Sequence, residues 1–140
     1  MDKGSGSYEV LLEVNGLWKI FGENLTDFVP DNPDSISRIQ GEGAVLAVRN
    51  VSFTVRRGEV FVIMGLSGSG KSTLLRCIPR LHQPTRGEVI INGRNVLEMD
   101  ENELIEFRRY EIAMIFQHYG LLPHRNVLEN VAFGLKLRGV

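Results

Sequence analysis

The stretch that most constrains this chain is Gly65-Leu66-Ser67-Gly68-Ser69-Gly70-Lys71-Ser72. Before it runs Val60-Phe61-Val62-Ile63-Met64, apolar at every position and of strand length. After it, from Lys71 to Ile78, the chain reads as an opening helix. A strand, a glycine loop ending in Gly-Lys-Ser and a helix, in that order, form a phosphate cradle. Gly65, Gly68 and Gly70 let the backbone turn through conformations closed to other residues. Successive N–H groups then point into one concavity. A helix N-terminus beneath it adds unpaired N–H groups and a dipole that favour an anion. The expected contacts run from Gly65 through Leu66, Ser67, Gly68, Ser69 and Gly70 to Lys71, Ser72 and Thr73. Lys71 is expected to reach the β- and γ-phosphates of a nucleotide and the Ser72 hydroxyl to ligate Mg²⁺.

The rest of the composition narrows the class. With 140 residues, the chain is one domain or part of one. Its net charge of −1 gives no nucleic-acid footprint. Cys77 is the single cysteine, so no internal disulfide forms, which fits a reducing compartment. No apolar run reaches the length of a membrane span, and the first seven residues have no apolar core of the kind a signal peptide carries.

Taken in order, residues 1–7 read as a disordered lead. Tyr8, Val10, Leu12 and Val14 alternate, which predicts a half-buried strand, and Asn15-Gly16 is a turn signal. Trp18 and Phe21 could stack a base, but aromatics in such a strand are core residues first. Residues 23–43 carry Glu23, Asp27, Asp31, Asp34, Pro30 and Pro33, and read as a solvated acidic insertion or linker with one short helical turn near Ser35. Residues 44–55 are β-rich. Residues 60–64 are apolar on both faces, as buried parallel strands are. Pro79 should stop or kink the loop helix. Val89-Ile90-Ile91-Asn92-Gly93 reads as a strand closing in a type I′ turn. Asp100 with Glu103, and Asn126 with Glu129, are capping boxes. The first opens a helix with Leu104, Ile105 and Phe107 on its apolar face. The second opens an amphipathic helix over 127–137. Between them, residues 112–116 form a second fully apolar run, followed by Gln117.

Gln117 thus stands where ligands bind in open α/β sheets, beyond the end of a candidate strand. Its amide can ligate Mg²⁺ and orient a water. His82, His118 and His124 lack metal-ligand spacing. Residues 96–101 imitate an apolar strand ending in Asp-Glu, but Glu98 interrupts the run. The chain therefore shows a phosphate grip without an acidic Mg²⁺ partner or a general base.

The loop with Thr73-Leu74 after it, Met114-Ile115-Phe116-Gln117 and Leu122-Pro123-His124-Arg125-Asn126-Val127-Leu128-Glu129-Asn130 together resemble an ABC-transporter ATP-binding subunit. Phe61-Val62-Ile63-Met64 leading into the loop, Pro84-Thr85-Arg86-Gly87 and the insertion between Gly22 and Val48 resemble, more narrowly, the glycine betaine/proline (quaternary-amine) importer ATPases. The likeness covers residues 8–140. It implies an α/β fold, a P-loop NTPase of the ABC ATPase type, with an antiparallel β subdomain and an incomplete parallel core sheet. The domain plan is then one partial nucleotide-binding domain, with residues 1–7 as a lead, 23–43 as the insertion and 44–140 as the β subdomain plus the first half of the P-loop core.

The resemblance further implies that Lys71 and Gln117 are catalytic, that ATP and Mg²⁺ are the cofactors, and that Ser72 and Gln117 hold the metal. It implies a transmembrane permease subunit docking on the stretch from His118 to Arg125, and a second ATPase subunit in a homodimer. It implies a cytoplasmic protein, peripheral on the inner face of the plasma membrane, coupling ATP hydrolysis to uptake of a glycine betaine/proline-like osmoprotectant. Two departures give expectations of their own. Such ATPases place an adenine-stacking aromatic upstream of the loop, where this chain has Gly41-Glu42-Gly43-Ala44, so adenine should be held weakly. The signature motif, the acidic Mg²⁺ strand and the switch histidine should all follow Gln117, and none precedes Val140, so this length alone should be inactive. The competing readings are a non-catalytic P-loop nucleotide-binding module and another P-loop NTPase or kinase. A GTPase is disfavoured because no Asn-Lys-x-Asp occurs.

Overall fold

In the computed structural model, residues 9–23, 25–118 and 120–139 are described. They fall into two compact units that divide between Glu98 and Met99. The proposed lead at residues 1–7 and the strand residue Tyr8 lie outside the described residues.

The first unit is built on an antiparallel sheet. Strand β1 (Val10–Phe21) is followed by helix α1 (Pro33–Gly41), strand β2 (Val45–Arg56), helix α2 (Lys71–Cys77) and strands β3 (Arg86–Ile91) and β4 (Arg94–Asn95). The sheet order is β2-β1-β3-β4, with every neighbour antiparallel. β1 lies between β2 and β3, which explains why Val14, Leu17, Trp18 and Ile20 are buried.

Asn15-Gly16 does not turn the chain. β1 continues through it, and the register with β2 shifts between Val14 and Leu17. This is a β-bulge, with Gly16 at φ +53 and its N–H donating to the Ser52 hydroxyl at 2.8 Å. Apolar residues resume immediately on its far side, so the pairing on both flanks outweighs the local turn preference. Gly87 of β3 crosses the bulge so closely that a Cβ there would lie 2.4 Å from the Gly16 carbonyl oxygen.

Residues 23–43 are more structured than a solvated insertion. α1 has nine residues, capped by Asn32, whose side chain accepts from the Ser35 N–H, with Pro33 in the first turn. Ile36 and Ile39 pack with Phe28 against Trp18 and Ile20 of β1. Trp18 and Phe28 meet edge to face at 5.3 Å, so Trp18 is a core residue. The acidic side chains face outward while the sparse apolar ones enter the core.

The two apolar runs form no ladder. Residues 60–64 have no strand partner among the described residues, and Val60, Val62 and Met64 are 89, 67 and 87% exposed. Phe61 alone finds a stacking partner, Phe53, at 4.8 Å. Residues 112–116 are likewise unpaired among the described residues. A parallel strand is defined by neighbours on each side, and an apolar sequence cannot supply them. The type I′ turn at Asn92-Gly93 is present, both residues having positive φ, at +50 and +74. α2 stops at Cys77, two residues before Pro79.

The second unit holds helices α3 (Glu101–Tyr110), α4 (Val127–Val131) and α5 (Phe133–Leu137). Both capping boxes form, Asp100 with Glu103 and Asn126 with Glu129. Leu104 and Phe107 of α3 are buried, whereas Ile105 is exposed, so the apolar face is narrower than expected. The expected helix over 127–137 is two five-residue helices broken at Ala132. Gly134, a poor helix former, follows the break closely. Among the described residues no helix is long and apolar enough to cross a membrane.

Candidate functional site

The loop between residues 64 and 71 is shaped by contacts its glycines permit. Gly68 and Gly70 have φ of +78 and +87. At Gly70 the constraint is steric as well, because a Cβ would lie 2.0 Å from the Ala47 carbonyl oxygen of β2. The loop therefore rests directly on the sheet. Gly65 is crowded by a side chain instead, the Ser69 hydroxyl at 2.7 Å from a Cβ. Gly70 caps α2, and its carbonyl accepts from Leu74 N–H at 2.8 Å.

Lys71 bends back into the loop. Its ammonium donates to the carbonyls of Gly65 at 2.9 Å and Leu66 at 2.6 Å, and to the Ser69 hydroxyl at 3.3 Å. A positive charge thus stands at the centre of a ring of backbone. Ser72 is exposed at the start of α2, and Thr73 is half-buried. Beside the loop is a cavity of about 320 Å³, lined by Phe21, Val45 and Ala47 on the sheet side and by Gly68, Lys71 and Ser72 among the loop residues.

Of the two aromatics that could stack a base, Phe21 is the one on this cavity. The neighbourhood of Glu42, where the family spacing places an aromatic, has none. Phe21 ends β1, opposite Val45 of β2, and is 39% exposed on the cavity. The detour between them closes on itself, since a Cβ on Gly22 would touch the Ala44 Cβ at 2.8 Å. Counting residues through the detour hides Phe21, and its place at a strand end before Gly22 was the available signal. Lys19 sits over the Phe21 ring at 4.6 Å and His82 meets it edge-on at 5.4 Å.

At the end of the loop helix, Cys77 is fully buried, and burial pushes its thiol pKa from 9.0 to about 11, with nearby Lys19 opposing part of the shift. That environment suits an inert core thiol.

Gln117 belongs to the second unit, in an exposed bend after residues 112–116 rather than at the end of a paired strand. Of the stretch from His118 to Arg125, Tyr119 lies outside the described residues, and His118 and His124 are exposed. Among the described residues no group of three or more His, Cys, Asp and Glu side chains is gathered to hold a metal ion. The fit to a nucleotide thus rests on the first unit. A cationic side chain inside a glycine-lined ring, a Cβ-intolerant backbone approach at Gly70 and an aromatic on the cavity wall suit a triphosphate with a planar base.

Comparison with known proteins agrees with this geometry. Residues 48–138 match the ABC transporter family. The chain is 47% identical over 131 residues to the trimethylamine N-oxide transport system ATP-binding protein TmoW of Ruegeria pomeroyi, an alignment covering 92% of this chain and 38% of that protein. It is 43% identical over 134 residues to the glycine betaine/proline betaine transport system ATP-binding protein ProV of Escherichia coli, covering 94% of this chain and 34% of that protein. The fold matches the ATP-binding cassette MJ0796 in a dimeric post-hydrolysis state bound to ADP and phosphate, with a TM-score of 0.72 and 31% identity over 91% of this chain and 48% of that one. The chain thus spans less than half the length of each of these proteins. With a match across most of its residues and the fold of solved cassettes, this protein belongs to the ABC transporter family.

Proposed function

We propose that this chain is the nucleotide-engaging part of an importer ATPase, coupling ATP hydrolysis to uptake of a glycine betaine- or proline-like osmoprotectant. The observation that carries the proposal is Lys71 held by Gly65 and Leu66 beside a cavity walled by Phe21. In this reading the amides of residues 65–70 cradle the phosphates, with Leu66, Ser67, Ser69 and Thr73 contributing to the same pocket. Lys71 leaves its carbonyl partners for the β/γ-phosphates, a charge-assisted exchange of weaker acceptors for stronger ones. Phe21 offers the exposed part of its ring to the base. Ser72 and Gln117 would hold Mg²⁺, which supplies charge neutralisation at the transferred phosphoryl group. Gln117 would also orient the attacking water.

The substrate class rests on the relatives, named for trimethylamine N-oxide and for glycine betaine and proline betaine transport. The remaining parts of the reading are a permease subunit docking between His118 and Arg125, a second ATPase subunit in a dimer, no nucleic-acid partner, and a place on the inner face of the plasma membrane. The domain plan belongs here too, with residues 23–43 as an insertion in the β subdomain. The family match favours this reading over a free-standing kinase or a non-catalytic binding module.

The test is reconstitution. The intact ATP-binding subunit, assembled with its membrane subunits in vesicles, should take up labelled glycine betaine when ATP is supplied on the nucleotide-binding side. Lys71→Ala should abolish uptake. ATP-driven uptake of an unrelated solute, with none of a quaternary amine, would overturn the substrate class while leaving the ATPase reading intact.

A further inference from the structure

One side chain in the second unit makes more hydrogen bonds than any role so far assigned requires. Asn130 stands on α4, half-buried, and its carboxamide turns back toward the preceding loop. Its Oδ1 accepts from the Leu122 N–H at 2.8 Å. Its Nδ2 donates to the carbonyls of Leu122 at 3.2 Å, Arg125 at 3.0 Å and Asn126 at 3.0 Å. The orientation of the amide follows from chemistry, since an N–H on one side can meet only the oxygen, and carbonyls on the other can meet only the nitrogen. Two N–H hydrogens serve three carbonyls, so one hydrogen is shared between two of them.

These contacts enclose the loop. Leu122 to Arg125 form a turn closed by the Arg125 N–H donating to the Leu122 carbonyl at 3.1 Å. Asn126 is fixed separately by its capping box, and the Arg125 guanidinium lies over the Phe133 ring at 4.8 Å. The loop is therefore bound on its inner side through both of its ends, while Pro123 and His124 at its tip are exposed. What the bonds do is give the exposed tip a single shape.

We propose that Asn130 is a positioning residue that preforms the loop from Leu122 to Asn126 for docking of a membrane subunit. The inference rests on the reading that this stretch meets the permease, and it adds the device that shapes the stretch. A loop that is ordered before binding does not lose that freedom on binding, so preorganisation strengthens association without adding a contact. Only Asn suits the place. Aspartate would set a carboxylate against three carbonyl oxygens, and alanine would leave Leu122 N–H without its partner.

The experiment uses the intact ATP-binding subunit with Asn130→Ala and Asn130→Asp, and separately with Pro123→Ala and His124→Ala. Amide hydrogen exchange at Leu122 should rise by about tenfold or more in both Asn130 variants, as a locally opened segment exchanges faster. ATP affinity and basal hydrolysis should be unchanged, which also shows that the variants are folded. Association with the membrane subunits in vesicles, and the stimulation of hydrolysis that follows it, should weaken by about tenfold. Unchanged exchange at Leu122 overturns the clamp. Faster exchange with full association, while the Pro123 or His124 variants dissociate, overturns the positioning role but leaves the docking reading. Full association in all four variants overturns the docking reading and the inference with it.

Discussion

At the scale of single residues, the proposed nucleotide site rests on two side chains. Lys71 is aimed by the loop it occupies, so Lys71→Ala should weaken ATP binding about 10–100-fold, the range for losing a charge-assisted contact of about 1.5–3 kcal/mol. Titration calorimetry on the two proteins checks this, and equal affinities would remove Lys71 from the site. Phe21 changes the expectation about the base. Spacing alone suggested weak adenine binding, and the proposed role of Phe21 on the cavity wall predicts the opposite. Phe21→Ala should cost ATP about 1–3 kcal/mol, by analogy with base–aromatic stacking in single-strand binders. Inorganic triphosphate, which has no base, should bind both proteins alike, and a parallel loss for it would mean that the substitution had disturbed the loop instead. Cys77 makes a prediction of a different kind. Its thiol is neutral in the fold up to about pH 11 and ionises near 9.0 once exposed. The folded-state pKa is the higher, so the stability from keeping this proton is full below pH 9 and is lost as pH rises through 11. Native protein at pH 8 should therefore resist iodoacetamide that the urea-unfolded chain takes up readily. Rapid native labelling would show that the buried end of α2 opens.

At the scale of elements, local signals and packing decided different things. Caps and breakers act on their own neighbours, so Asp100 with Glu103, Asn126 with Glu129, and the end of α2 before Pro79 were all legible. Asn15-Gly16 was misread because its turn preference is worth less than ladder bonds on both flanks, and the bulge satisfies both. α1 was underestimated because its two buried isoleucines are too few to set a clear helical period, yet enough to close the core around Trp18. Ile39→Ala should therefore destabilise the first unit by about 2–5 kcal/mol, the range for a large-to-small change in a packed core. Urea unfolding followed by Trp18 fluorescence measures it. A shift of a few tenths would mean that α1 rests on the sheet without holding it.

At the scale of the whole molecule, the exposed apolar runs matter most. Val60, Val62, Met64 and Ile115 face solvent with no strand beside them among the described residues. Surfaces of this kind associate. Residues 1–140 expressed alone should bind ATP, aggregate at working concentration, and release phosphate no faster than their Lys71→Ala counterpart. Phosphoryl transfer needs a completed metal site and an oriented water; among the described residues no carboxylate cluster completes the metal site, and a group of this kind is worth a factor of about 10² or more. A soluble monomer with turnover well above that blank would show that these residues contain the whole catalytic apparatus.

The sequence by itself determined the loop and its chemistry. A backbone that must take left-handed conformations and meet an anion leaves few residue choices, so Gly68, Gly70, Lys71 and Ser72 announce themselves in one dimension. It determined the helix caps for the same local reason. Only the tertiary structure decided that Gly70 rests on the Ala47 carbonyl, that Ala44 leaves no room for a Cβ at Gly22, and that Phe21 shares a cavity with Lys71. Those facts depend on which distant residues are brought together. A chain detour such as 23–43 changes sequence separation freely while leaving the distance across its closed ends nearly fixed.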